Sequence, residues 1–388
     1  MLNCASVYTY EIENAEIALL EIKSQLEEKI TLLENSIGII MCHPEFITSG
    51  VLKHICDNLP FDAAGTTTTS QAVNDEAGEL ILTMFVMTAD DVRFKSTITD
   101  DLNDNINDTV KTAYKKISAD EHDPPKLAFI FPPFLVEQYS GDTYIEAWKN
   151  ILPDTLLFGT LAIDDTLTFK DSETIYNGIN KKNAMPFVLC YGNIQPRFLL
   201  ATLCENSALS LRGVITKSKD NIIYEINHIN AQEFFTNAMG LSENLLTFPL
   251  LIEPPVSDNY DDVPTIRELT FYNEDGAGVL GGNIKEDSTV SLLKFDADSI
   301  SLPSIPVIEK INDLPDAKGA LLFSCVSRRI ALMGYNTPLM ELQLAKNTIK
   351  QDIPFMMGYS GGEICPALNK GGIWSNRYYN YSIVILVV

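Results

Sequence analysis

Apolar residues first form a helical stripe. Ala15, Leu19, Ile22, Leu26, Ile30 and Leu33 recur at helical spacing with Glu and Lys between them, which predicts an amphipathic helix over Ala15–Leu33. A second stripe, Leu102, Ile106, Val110, Ala113 and Ile117, predicts a helix over about Leu102–Ile117; acids crowd its start and Lys115 and Lys116 its end, as the helix dipole favours. The closing apolar run Ser382–Val388 is far short of the ~20 residues a spanning helix needs. It predicts a final buried strand in the second half of the chain.

One pattern occurs three times: an apolar strand, a loop, an amphipathic helix and a second strand ending in Gly. The first copy runs Ile37–Met41, a loop Cys42–Phe46, a helix capped by Thr48, then Phe61–Ala64 and Gly65. The second runs Leu127–Phe131, the Pro132-Pro133 loop, a helix from near Asp142, then Thr155–Phe158 and Gly159. The third runs Ala320–Phe323, a loop Cys325–Arg329, a helix capped by Thr337 with Pro338 first, then Pro354–Met357 and Gly358. Each copy is a βαβ candidate with parallel strands and a right-handed crossover, so ligands are expected at the carboxyl ends of those strands. Strand-rich material lies between the copies: Thr166–Phe169 and Thr174–Tyr176 read as a hairpin, followed by Phe187–Tyr191, Arg197–Leu203, Leu209–Thr216 and Asn221–Ile226. The expected fold class is α/β, mixed α+β: two α/β domains, 1–226 and 227–388, with mixed, partly parallel sheets covered by helices.

Composition narrows the function. Acidic residues number 52 against 28 basic, a formal net charge of −24, and no Lys/Arg-rich stretch offsets that field, so nucleic acid and anionic membrane are excluded as partners. Seven scattered cysteines without a CxxC spacing predict free, mostly buried thiols in a reducing compartment. No basic segment followed by an apolar run opens the chain, so no secretory signal is expected.

Phe323-Ser324-Cys325-Val326-Ser327-Arg328 resembles the FIST C-domain signature, and Gly358-Tyr359-Ser360-Gly361-Gly362-Glu363-Ile364 resembles its Gly-aromatic…Gly-Glu-Ile motif. Asn376–Ser382 is similar to the family's terminal strand. In the first half, Leu157-Phe158-Gly159 with Asp164-Asp165, and Ala64-Gly65-Thr66-Thr67, resemble FIST N-domain motifs; Ile223–Gly240 and Arg267–Gly282 fall in order between. The ordered succession spans about Ser36–Val388. The departures are Ser327 for the family's Gly, Tyr379 for its terminal His, Ser70-Gln71-Ala72 for a Gly-Glu-Ile, and Thr160 and Ile163 for glycines. The resemblance implies a cytoplasmic sensory protein in signal transduction that binds a small ligand such as an amino acid or small carboxylate, is not an enzyme, and signals through a separate protein. It leaves three alternatives: a haem-based gas sensor, a Cys-dependent enzyme and an interaction scaffold.

The strand-end loops supply the candidate ligand-binding residues. Arg328 offers a planar fork of donors to a carboxylate, with an internal ion pair to Glu363 as the structural alternative. Glu363 can receive an ammonium group. Gly358, Gly361 and Gly362 allow close backbone approach beside Tyr359, without the spacing of a nucleotide fingerprint. Cys325 lies near guanidinium groups, which lower a thiol's pKa, but no histidine adjoins it in sequence to act as base; a structural or ligand-lining thiol is favoured over a nucleophile. Gly65 and Thr66 offer an amide and a hydroxyl, and Asp164 a carboxylate, although paired acids in a turn more often cap it. No cofactor is expected; His43 is the one histidine at a predicted ligand edge and the candidate axial ligand if haem were held. No metal-binding spacing occurs.

Overall fold

The computed structural model describes residues 2–102, 105–166, 168–203, 208–238, 249–293 and 295–388. The chain opens with β1 (Leu2–Thr9), and a first unit follows: α1 (Ala15–Lys29), β2 (Asn35–Cys42), α2 (Glu45–Thr48), α3 (Val51–Asp57), β3 (Asp62–Thr67), β4 (Gln71–Val73), β5 (Ala77–Gly78), β6 (Leu82–Ala89) and β7 (Val92–Ile98). A second unit repeats the order: α4 (Ile106–Ser118), β8 (Leu127–Ile130), α5 (Gly141–Lys149), β9 (Leu156–Thr160), β10 (Thr174–Tyr176), β11 (Ile179–Lys181), β12 (Pro186–Gly192) and β13 (Arg197–Ala201). An inserted β-rich segment comes next: β14 (Ala208–Lys219), β15 (Ile222–Ile226), β16 (Ile229–Asn230), α6 (Ala231–Glu233), β17 (Pro249–Glu253), β18 (Thr265–Tyr272), β19 (Gly278–Leu280) and β20 (Thr289–Leu293). The third unit closes the chain with α7 (Ala297–Glu309), β21 (Ala320–Cys325), α8 (Val326–Met333), α9 (Met340–Thr348), β22 (Phe355–Ser360), β23 (Glu363–Leu368), β24 (Trp374–Tyr379) and β25 (Ile383–Val387).

All three βαβ candidates are present. The parallel pairs are β2–β3, β8–β9 and β21–β22, with Ile40 opposite Gly65, Ile130 opposite Gly159 and Phe323 opposite Gly358. Each pair lies mid-sheet in one of three six-stranded sheets: β1-β6-β2-β3-β10-β11, β7-β12-β8-β9-β23-β24 and β13-β25-β21-β22-β4-β5. The orders are equivalent position by position, so the body has pseudo-threefold symmetry.

The units exchange strands in a cycle. The strand after β3 leaves its own sheet and pairs as β4 with β22; the one after β22 pairs as β23 with β9; the one after β9 pairs as β10 with β3. β7 and β13 likewise edge the next sheet beside β12 and β25, and β1 takes that place beside β6. The third sheet therefore joins β4, β5 and β13 from the first half of the chain to strands of the second. The closing strand, expected in the second half, lies between β21 and β13.

The pleat divides each strand between two cores. Ile37, Ile39, Leu127, Phe129, Leu321 and Phe323 point inward into one shared core. The alternate residues Ile40, Ala128, Ile130 and Leu322 point outward beneath helices α1–α3, α4–α5 and α7–α9. The inserted segment forms a seven-stranded sheet, β14-β20-β17-β18-β19-β15-β16, with a core of its own. It meets the third unit through a smaller cluster of Leu251, Ile266, Ile300, Leu332 and Tyr381.

Local expectations differ in detail. Gly50, not Thr48, precedes α3, and α9 starts at Met340 with no side-chain cap, because Thr337 and Pro338 form a turn before it. The loop expected at Cys325–Arg329 is already helical from Val326. Thr174–Tyr176 pairs with Ile179–Lys181 and β3, while Leu167 of the expected hairpin partner lies outside the described residues. Asn103 and Asp104 of the second predicted helix are likewise outside them; the helix itself runs Ile106–Ser118. Six cysteines are free and buried, and Cys204 lies outside the described residues.

The glycines that end the first two pairs have a steric cause. A Cβ at Gly65 would stand 1.7 Å from the Ile40 carbonyl oxygen, and one at Gly159 1.9 Å from that of Ile130. Both obstructing atoms are backbone in the parallel partner strand, so no side chain can yield. Gly65→Ala and Gly159→Ala should each destabilise the protein by about 3 kcal/mol or more, read as a lower urea midpoint at unchanged slope.

Candidate functional site

The carboxyl ends of the parallel strands converge. Ile163 N donates to Thr67 O, Leu161 N to Gly362 O, Gly361 N to Leu161 O, and the Thr68 hydroxyl to Tyr359 O. A cavity of about 220 Å³ lies beside this junction, under the inserted sheet. Phe134, Phe169, Val326 and Ile330 make its apolar wall; Glu268, Thr270, Tyr378 and Asn380 give it polar atoms; Gly281 and Gly361 bring backbone to its edge.

Tyr378 is seated by glycines. A Cβ at Gly362 would lie 1.9 Å from its hydroxyl, and one at Gly141 2.1 Å from its ring; Gly362 also has φ +135°. The tyrosine donates to Gly361 O at 3.1 Å and accepts from Asn380 Nδ2 at 3.1 Å. The Gly-rich loop therefore admits an aromatic ring, a use its sequence did not single out.

Two carboxyl groups flank Cys325. Glu268, from β18, is half-buried, lines the cavity and accepts from the Ser327 hydroxyl. Burial pushes its carboxyl up to about 7, against the hydroxyls of Ser327 and Tyr381. Glu363 is wholly buried; its Oε2 accepts from Ser382 at 2.7 Å and its Oε1 has no hydrogen-bond partner among the described residues. Burial holds it well above the ordinary carboxylate range. The Cys325 thiol is also raised well above its ordinary value, first by burial and then by Glu363 and Glu268. It is a poor nucleophile in this setting, because the thiolate is the reactive form.

The profile of the FIST N domain matches residues 36–229, and that of the FIST C domain residues 228–366. The chain belongs to the FIST family. No curated protein matches it. FIST domains are proposed as sensory domains in signal transduction. The sheets of the body cross the junction of the two FIST regions.

Arg328 requires correction. It was expected to clamp a ligand carboxylate or to pair with Glu363, but its guanidinium is fully buried against Glu341, with Nη2 at 2.6 Å and Nε at 3.0 Å from Oε1. Nη1 donates to Tyr381 O, and Nη2 also to Ile300 O and the Ser304 hydroxyl. These bonds tie α7, α8, α9 and the segment before β25 together and leave no fork for a ligand. The partner Glu341 gave no signal, because an acid in the first turn of a helix is ordinary.

Of the other FIST residues singled out, Gly361 lines the cavity, and Cys325 and Glu363 stand by it without lining it. Gly358 lies between sheets, where a Cβ would meet Met41 Sδ at 2.5 Å. Tyr359 packs in the outer core of the third unit with its hydroxyl on Pro338 O. Gly65 and Thr66 are buried in the first sheet. Asp164 accepts from the N–H groups of Thr166 and Asp171, both at 2.6 Å, so it caps a turn. His43 does not fit as an axial haem ligand: its Nδ1 accepts from Glu45 N, its Nε2 faces Asp165 at 3.4 Å, and it does not line the cavity. Glu268, Thr270, Tyr378 and Phe134 were missed; the Pro132-Pro133 loop and the terminal-strand motif pointed near the last two.

Two outcomes follow from these environments. Arg328→Ala strands Glu341 as a buried, unpaired charge and should cost about 3–5 kcal/mol of unfolding free energy, measured by urea titration. Glu268 holds its proton to about pH 7 when folded, against 4.5 for an ordinary glutamate. Its stabilising contribution is complete below the lower value and declines as pH rises through the upper one. Urea midpoints taken from pH 4 to 8 should therefore decline less steeply in Glu268→Gln than in the wild type.

Proposed function

We propose that this FIST protein is a sensory binding protein that detects a small molecule carrying a protonated amino group in the strand-end cavity. The observation that carries the reading is a half-buried glutamate facing a cavity with otherwise apolar or neutral polar walls and, among the described residues, no lysine or arginine in its lining. An ammonium group would favour ionised Glu268 and restore the Coulombic partner that burial removes. A ligand carboxylate finds no such partner, so the amino group replaces the carboxyl group as the recognised end. A volume near 220 Å³ is the liquid share of about seven waters, which suits a compact amine or an amino acid.

The cavity's position supports a sensory rather than a catalytic role. Phe134 and Gly361 belong to the threefold body, whereas Glu268, Thr270 and Gly281 belong to the inserted segment. A ligand touching both favours one placement of the two parts, which a separate signalling protein can read. The raised Cys325 thiol argues against a thiol enzyme. The free, buried cysteines accord with a reducing cytoplasm.

Thermal unfolding with a panel of primary amines and free amino acids, each beside its N-acetylated form, tests this. A ligand at 100 times its Kd adds about 2.7 kcal/mol of stability. The free amines should raise the Tm, the acetylated forms should not, and Glu268→Gln should abolish the rise. Equal stabilisation by the acetylated forms, or a full response from the variant, would refute the reading.

A further inference from the structure

A second and larger hollow, about 940 Å³, lies along β24, between α5 and strands β17 and β18 of the inserted sheet. Its lining differs from the chain at large. Four basic and four acidic side chains border it, on a chain with 28 basic and 52 acidic residues. Three polar atoms of lining residues are buried without a hydrogen-bond partner among the described residues: Arg377 Nη2, Arg267 Nε and the Tyr379 hydroxyl. All three can donate.

The charge around these donors is only partly neutralised. Arg267 is 5% exposed and spends its other nitrogens on Tyr378 O at 2.9 Å and Asp142 at 3.2 Å. Arg377 lies 3.9 Å from Asp261, too far for a hydrogen bond, and Asp261 also accepts from Asn369 at 3.2 Å. Asp142 likewise accepts from Asn283 N at 2.7 Å. A guanidinium so placed retains most of its demand for an acceptor. Beside it Trp374 is 46% and Ile373 65% exposed, an apolar wall on the same hollow.

We infer that this cleft is a second ligand site, which takes a small carboxylic acid with an apolar body. The carboxylate meets Arg377, with Tyr379 and Arg267 beside it, and the body lies on Trp374 and Ile373. A planar monoanion suits one incompletely paired guanidinium better than a dianion does, and the fork matches two carboxylate oxygens. The site shares Tyr378 and Asn380 with the amine cavity but not Glu268, so the two are separable by mutation.

Trp374 provides the readout, since the only other tryptophan, Trp148, is buried outside the cleft lining. Benzoate, phenylacetate and hexanoate, each with its primary amide, are titrated against the intact chain by tryptophan fluorescence, with calorimetry as a check. At least one acid should bind saturably, with its amide weaker by about tenfold or more. Arg377→Gln should weaken that acid by a similar factor and Tyr379→Phe by less. Acid and amide binding alike, binding unchanged in Arg377→Gln, or no saturable binding by any of the three acids would overturn the assignment. The acid–amide comparison uses wild-type protein, so it stands even if a variant fails to fold.

Discussion

The exchange of one strand between successive units constrains the rest of this structure. A strand that leaves its own βαβ unit must find hydrogen-bond partners elsewhere, because unpaired buried backbone is costly. Here β4, β23 and β10 find them beside β22, β9 and β3, closing a cycle of three sheets around one core. No sheet can be removed without exposing the edges of the other two. The crossing segments between second strand and lent strand must therefore pass close to one another, and they bond to each other through Thr67, Leu161 and Gly362. The site lies at this crossing because three sets of strand ends meet there.

The same crowding explains the chemistry of the site. Glu363 is the first residue of a lent strand and cannot reach bulk water, so burial pushes its carboxyl up while Ser382 hydrogen-bonds to it. Glu268 arrives from the inserted sheet, and burial pushes it up too, but it keeps one side on the cavity. Two carboxyl groups of one type thus share the cause of their shift and differ in access to the cavity. Burial raises the Cys325 thiol first, and the two carboxyl groups beside it add to that.

Much of the fold was legible in the sequence because it depends on short-range pattern. The repeated strand–helix–strand-Gly unit appeared three times in the apolar spacing, and all three parallel pairs formed with those glycines in register. The strand exchange was not legible. β4, β5, β10 and β11 are two or three residues long, and their partners are set by packing between distant segments. The site was legible in its location more than in its residues. Arg328 and Glu363 were drawn from neighbouring loops, but Arg328 begins a helix and turns toward α9, where Glu341 waits. Glu268 could not be found from local pattern, since one acid in an alternating strand reads as a solvent-facing residue.

Tyr378 is the remaining link between scaffold and sites. It borders both the small cavity and the large cleft, its ring packs beside the Arg267 guanidinium at 5.7 Å, and its hydroxyl reaches the Gly361 carbonyl. The ring packs so closely on the glycines around it that even a Cβ at Gly141 or Gly362 would collide with it. A ligand that displaced Arg267 in the cleft would act on the ring that walls the cavity, and the reverse holds for a ligand pressing from the cavity side. Coupling between sites is reciprocal in free energy. An aromatic side chain shared by the cavity and the cleft is a physical route for it, because a push on the ring from either hollow reaches the other.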